Sequence, residues 1–446
     1  MNAQPCLEHG LRHSLPAPKR IAWVPAALVL LLSANLASAS DSSWDALDIE
    51  TDYQVNLQSI GGGESAFLPE QSDRSHEQVN ALLDINAQFH SVSANVALLG
   101  TSIYDNTPDG HDQRQFDTVI STLTYEASVT FGDSEWDVLM GKARIDWGVG
   151  YGYRVLDIFT PYRRNPVGIQ IEEGAGTLAL SHYGLESEWT LITTDSSWSQ
   201  LDTSEYGRAT EQQGLGGKYY RLLGDLELQM IGYYDNVRQG LLGGSLVNVF
   251  NQAWSAHASI SYSRRYQGYD ITPNQPASLT EKSNASQVLV GSTWSHESGL
   301  SVIGEYWYDS RAWSQSEWDS ANQYASSNDP RFNPTSQSFA LGYSQQNIVQ
   351  HNVMLHGRLD PIFWRQWQWS KDSHLLRSMH PRLDIMIAPE DGGIIATQWL
   401  DFDVVDTGDT SFNLELAARF VTGATNSVYA NLPDTYNILI NLKGRF

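Results

Sequence analysis

From residue 46 onward the chain repeats one pattern: segments of about ten residues in which apolar and polar side chains alternate. The last segment shows it most clearly. Tyr436, Ile438, Ile440, Leu442 and Phe446 share one parity; Asn437, Asn441, Lys443 and Arg445 share the other, and only Leu439 breaks it. Side chains of a strand point alternately to its two faces, so each such segment is a ribbon with one apolar and one polar side. The same alternation runs through Leu47 to Leu57, Leu83 to Phe89, Leu226 to Tyr234, Trp254 to Tyr262, Val288 to Trp294, Leu300 to Tyr308 and Phe412 to Phe420. It also runs through Val119, Leu123, Tyr125, Val129 and Phe131, read as one face. No run of 18 apolar residues occurs after residue 39. A bilayer admits only helices and closed barrels, because every backbone polar group must be paired within the protein. If this chain enters a membrane, it does so as an all-β antiparallel barrel, and about ten residues is the length of one tilted strand.

The connections alternate in length. Short ones fall at 91–93, 132–134, 223–224, 297–299 and 406–410; long polar ones fall near 59–79, 105–117, 148–175, 195–212, 266–285, 309–345 and 421–434. Short turns at one rim and long loops at the other are the asymmetry of outer-membrane barrels. Residues 360–381 are long but belong with the short turns if the strand number is even, which predicts a helical periplasmic connection. The tally is then 16 to 18 strands in an up-and-down barrel, with 236–253 the ambiguous stretch. The amphipathic last strand and its terminal Phe446 resemble the closing strand of bacterial outer-membrane β-barrels. That resemblance implies that Tyr436 and Phe446 form part of the signal read by the barrel assembly machinery.

The amino-terminal end agrees. Lys19 and Arg20 precede an apolar run from Ile21 to Leu32, which leads to Ala37-Ser38-Ala39, a small-x-small cleavage pattern. Residues 1–39 are expected to be a cleaved secretory signal and 40–446 the barrel, with about ten residues and no plug before the first strand. The single cysteine, Cys6, lies in the signal, so the exported chain uses no disulfides. Charged residues make up 17 % against the roughly 25 % of a soluble domain, beside 15 Trp and 21 Tyr. Low charge and many aromatics suit a surface facing lipid and lipopolysaccharide, with aromatic girdles at the interfaces.

The whole chain holds 27 basic and 51 acidic residues; removing Arg12, Lys19, Arg20 and Glu8 leaves 24 and 50, a net of −26. So acidic a protein is no nucleic-acid partner. The acids belong either to external loops or to a cation-favouring lumen.

Against that background one segment is basic. Lys142, Arg144, Arg154, Arg163 and Arg164 cluster with Asp146, Asp157, Glu172 and Glu173. Gly148, Gly150 and Gly152 are expected to end a strand in a bulged turn, and Pro161 and Pro166 to stiffen the chain beyond it. Val155, Leu156, Ile158 and Phe159 make this loop too apolar to be purely solvated. Folded into the barrel, it would set opposed charges across a constriction; the alternative is an external cap held by salt bridges. Trp147-Gly148-x-Gly150, then Asp157-x-Phe159-x-Pro161 and Asn165-Pro166, resembles a recurrent pattern of porin-like and exopolysaccharide-export barrels. The acidic net charge departs from the basic lumen that polyanion export requires.

Near the carboxyl end, Arg382, Asp384, Asp401, Asp403, Glu415, Arg419, Lys443 and Arg445 share lumen parity as a mixed-charge wall. His351 and His356, five apart, point to opposite faces and cannot share a metal. No nucleophile-elbow, zinc-protease, phosphate-binding or dinucleotide motif occurs, so no catalytic, cofactor or metal residues are assigned and no enzyme activity is expected. The expected function is an outer-membrane channel for passive or facilitated passage of small hydrophilic solutes, constricted by 148–175. The alternatives are a saccharide or polymer transporter, or a non-conducting barrel serving as hydrolase or adhesin.

Overall fold

The computed structural model describes residues 47–63, 65, 75–105, 113–159, 166–201, 205–270, 278–326, 347–408 and 410–446. The expected signal, its cleavage site, and Arg163 and Arg164 lie outside the described residues.

Eighteen strands close into one barrel, the upper end of the expected range. They are β1 (Leu47–Gly62), β2 (His76–Phe89), β3 (Val92–Asp105), β4 (Gln113–Phe131), β5 (Ser134–Ala143), β6 (Ala175–Tyr183), β7 (Ser187–Asp195), β8 (Gln213–Leu223) and β9 (Leu226–Asp235). The second half is β10 (Leu241–Val249), β11 (Trp254–Asp270), β12 (Ser278–Ser295), β13 (Leu300–Asp309), β14 (His351–Leu359), β15 (Met379–Ala388), β16 (Gly393–Asp406), β17 (Ser411–Thr422) and β18 (Asp434–Arg445). Each strand pairs antiparallel with its sequence neighbours, and β1 pairs with β18 from Asp52↔Arg445 to Gly61↔Tyr436. Closure removes both sheet edges, so no unpaired backbone is left for lipid to meet. Just beyond β18, Phe446 N–H donates to Thr51 O (3.1 Å) and Thr51 N–H to Phe446 O (3.2 Å), extending the seam.

Most connections sort by rim as expected, but the long loop expected at 266–285 is corrected: 266–270 and 278–285 continue β11 and β12, and the long-loop rim also carries tight turns at 236–240 and 389–392. One rim carries 90–91, 132–133, 184–186, 224–225, 250–253, 296–299 and 407–410, and the other 63–75, 106–112, 144–174, 196–212, 310–350 and 423–433. The ambiguous stretch resolves into a tight turn, strand β10 and a second turn. Residues 360–378 sit on the short-turn rim and hold a 3₁₀ turn (Pro361–Gln366) and a helical turn, as expected.

Outward side chains such as Ile49, Leu57, Leu191, Leu215, Leu242, Ile260, Val290, Phe420 and Ile438 are exposed, the greasy band of a membrane barrel. Among the described residues no helix is long and apolar enough to cross a membrane. The reading of Val119 with Leu123 is corrected. Asn95 pairs with Thr122 and Val96 with Ile120, so Ser121 is bulged and the parity of β4 flips there. Val119 is buried inside, while Ile120 and Phe116 face out. An extra residue in one strand reverses every side chain beyond it.

The hydrophobic core sits inside the barrel toward the long-loop rim. Trp307 and Leu289 of the wall are buried with Leu156, Ile348, Val428 and Tyr429 from the loops. A helix, α1 (Gln315–Ser326), adds Trp318 and Ala321 to it.

Candidate functional site at the barrel loop 144–174

The loop between β5 and β6 turns into the barrel. It begins at 144, before the three glycines, so Gly148, Gly150 and Gly152 do not end a strand. They lie within the loop where it approaches other groups closely. A Cβ on Gly150 would sit 1.8 Å from Tyr153 O, and one on Gly152 would sit 2.1 Å from Met354 Sδ of β14.

Five parts of the wall hold this loop. On β13, Glu305 accepts the N–H groups of Tyr151 (2.6 Å, Oε1) and Gly152 (2.7 Å, Oε2). The Glu305 carboxylate is buried and also lies 2.8 Å from His257 Nε2 of β11. Tyr153 stacks on Trp307, with ring centroids 5.4 Å apart, and its hydroxyl donates to Asp309 Oδ2 (2.6 Å). On β9 and β10, Gln229 Nε2 donates to Trp147 O (2.9 Å) and Leu156 fills the space above Gly243. Trp147, Phe159 and Tyr233 form an edge-to-face chain. On β16 to β18, Val167 is buried in one cluster with Trp399, Ala417 and Leu439. On β2 to β4, Ile171 is buried with Leu82, Ala97 and Val119. Gly168, at φ +98, comes over Gln58 and Asn56 of β1, where only a residue without Cβ fits.

The expected site residues divide by exposure. Lys142 and Glu173 are 2.6 Å apart with side chains only 6 % and 5 % exposed. Glu173 also accepts from Ser199 Oγ (2.7 Å) and the N–H groups of Gln200 and Leu201 (2.8 Å each), tying the loop to its neighbour at 196–212. Burial alone would raise the Glu173 carboxyl, but these donors outweigh it and hold its pKa below the usual range. Arg144 faces Glu172 at 3.8 Å, and Arg154 contacts Asp146; all four are solvent-exposed. Asp157 is half-buried, and its N–H donates to Arg154 O (3.3 Å).

The mixed-charge wall forms as read. Arg382 contacts Asp401 (2.7 Å) and Glu415 (3.2 Å), Lys443 contacts Glu415 (2.8 Å), Arg445 contacts Asp52 (2.9 Å), and His380 contacts Asp403 (2.8 Å). Arg419 donates to Thr397 (3.0 Å). His356 points inward to Asp384 (2.5 Å), whereas His351 meets Tyr306 on the outer face. Lumen-facing Trp399 lies under the Arg382 guanidinium, 5.2 Å from its ring centre. Tyr151 packs on His356, and partial burial, with Asp384 and Glu305 nearby, pushes its hydroxyl up to about 12. It therefore stays neutral, a donor at ordinary pH.

Glu305, His257 and Tyr151 escaped the sequence reading as site residues. The one sign was a lone acid on lumen parity in the aromatic stretch Tyr306-Trp307-Tyr308.

Neither the family profiles nor the curated proteins compared with the chain give a match. Solved structures do. OccAB1 of Acinetobacter baumannii superposes with a TM-score of 0.52 at 10 % identity, covering 92 % of this chain and 99 % of that one. OccK7 (OpdD) of Pseudomonas aeruginosa gives 0.50 at 9 % identity, covering 90 % and 98 %. The closed 18-stranded antiparallel barrel of this chain thus shares the fold of these two Occ structures.

Proposed function

We propose that this protein is a channel of the outer membrane for passive or facilitated passage of small hydrophilic solutes, with residues 144–174 as its constriction. The observation that carries this reading is the double hydrogen bond from Tyr151 and Gly152 to Glu305, which tethers the loop to the far wall. A tethered loop narrows the lumen, and the exposed pairs Arg144–Glu172 and Arg154–Asp146 set a field beside the passage. Lys142 and Glu173 anchor the loop from inside its base. Lipid and lipopolysaccharide surround the barrel, and Tyr436 with Phe446 serves as the end read by the assembly machinery. Polymer transport has less support, because Trp307 is fully buried and Trp399 nearly so, and neither is free as a sliding platform. No enzyme role is assigned.

The test is single-channel conductance and reversal potential in a planar bilayer under a salt gradient. A steady, small conductance is expected. Silence from correctly folded barrels would overturn the channel reading in favour of an enzymatic or adhesive barrel.

A further inference from the structure

The connection 360–378 stands apart from the other short-rim turns. It is long, rich in tryptophan and cationic. Phe363, Trp364 and Trp367 pack edge to face, and Trp369 stacks on Trp367 with centroids 6.1 Å apart. Asp360 caps the 3₁₀ turn by accepting from Ile362 N–H (2.9 Å), and Ser373 caps the helical turn α2 (His374–Arg377). These caps fix the segment, yet its apolar side is left open: Trp369 is 71 %, Leu375 63 %, Ile362 46 % and Trp367 37 % exposed. Exposed Arg365, Lys371 and Arg377 stand against Asp360 and Asp372, three cations to two acids, in a chain whose formal charge is −24.

The segment folds back against the β12–β13 turn. Asp360 N–H donates to Gly299 O (2.9 Å), Gln366 Nε2 to Ser298 O (3.1 Å), and Ile362 lies over Gly299. That turn adjoins Trp294, which pairs with Trp254 at 6.3 Å on the lipid-facing parity of β12 and β11. The base of the segment therefore rests on the turn that follows the lipid-facing Trp294–Trp254 pair. Tryptophan rings with neighbouring arginine and lysine are the composition that settles at a bilayer interface, and cations there favour anionic headgroups.

We propose that residues 360–378 dock on the periplasmic leaflet, setting Trp367, Trp369 and Leu375 at headgroup depth and Arg365, Lys371 and Arg377 on anionic phospholipid. The inference rests on the proposed placement of the short-turn rim in the periplasm, but not on conduction.

Leu375→Cys or Trp369→Cys, each in a Cys6→Ser background, carries the only thiol of the chain. The thiol is labelled with an environment-sensitive dye, and quenching by headgroup-spin-labelled phosphatidylcholine is read in vesicles with and without phosphatidylglycerol. Heat-modifiable migration confirms folding, and the two label positions guard against one failing to assemble. Quenching above that of a Thr425→Cys label in the opposite rim is expected at both positions. Arg365→Gln with Lys371→Gln and Arg377→Gln should lower it about twofold or more in phosphatidylglycerol vesicles. Labels quenched only by aqueous iodide would overturn the proposal. So would protection from iodide by soluble peptidoglycan fragments in detergent, which would assign the aromatic side to the cell wall. A barrel that keeps its label at headgroup depth but does not conduct would retain this inference and lose the proposed function.

Discussion

Gly152 in the β5–β6 loop and Glu305 in β13, 153 residues apart in sequence, are joined by a 2.7 Å hydrogen bond from the glycine N–H to the carboxylate. The same carboxylate takes the Tyr151 N–H and touches His257, so one buried acid fixes both the loop and the wall behind it. Hydrogen bonds to a charged acceptor contribute about 1.5–3 kcal/mol each. Glu305→Ala is expected to leave the barrel heat-modifiable and closed while freeing the loop. Single-channel records should show a larger, noisier conductance; an unchanged trace would mean that the remaining contacts hold the loop without Glu305.

Gly150 tests the same idea from the loop side. A methyl group there would meet the Tyr153 carbonyl at 1.8 Å, and backbone cannot step aside as a side chain can. Gly150→Ala should cost about 1–3 kcal/mol in overpacking and displace Tyr153 from Trp307. Loss of the slowest-exchanging loop amides in hydrogen exchange, with strand protection intact, is the expected readout.

At the base of the loop, Lys142→Met would leave Glu173 without its cation but with its Ser199, Gln200 and Leu201 donors, a loss of about 1–3 kcal/mol. The pH dependence comes from the lowered Glu173 pKa. A depressed carboxylate stabilises fully above its unfolded value, about 4.3, and that contribution is lost as pH falls through the lower folded value. Conductance should hold steady from neutral pH down to about 5 and change only in stronger acid. Glu173→Gln should remove that acid transition.

Arg154 is exposed beside Asp146 on the loop. Replacing Arg154, Arg163 and Arg164 together by alanine removes three positive charges from the 142–175 segment of the sequence. The reversal potential should shift toward greater cation preference. Unchanged selectivity would place these arginines away from the ion path.

Phe446 closes the β1–β18 seam with two backbone bonds to Thr51, and its ring lies 5.7 Å from Tyr53. Deleting Phe446 is expected to lower the amount of assembled, heat-modifiable barrel in outer-membrane fractions. Normal assembly would show that the terminal residue is dispensable to the machinery.

The alternating segments and the unequal connections were enough to read an antiparallel membrane barrel, its two rims, the helical turn at 360–378 and the inward parity of Arg382, Glu415 and Lys443. Those features are local: the two-residue period of a strand and the chemistry of its turns are written in neighbouring residues. What needed the tertiary structure was every contact across the lumen. Leu439, the one break in the last strand's alternation, is apolar because Val167 reaches the same buried cluster from a loop more than half the chain away. Val119 turns inward because a bulge at Ser121 shifts the register, and Ser121 O then accepts from Gly174 N–H (2.9 Å) at the end of the loop. Glu305 was an unremarked acid until the chain closed around it. Sequence period assigns each residue a face; which loop arrives at that face depends on barrel closure, which brings residues from every part of the chain into one interior.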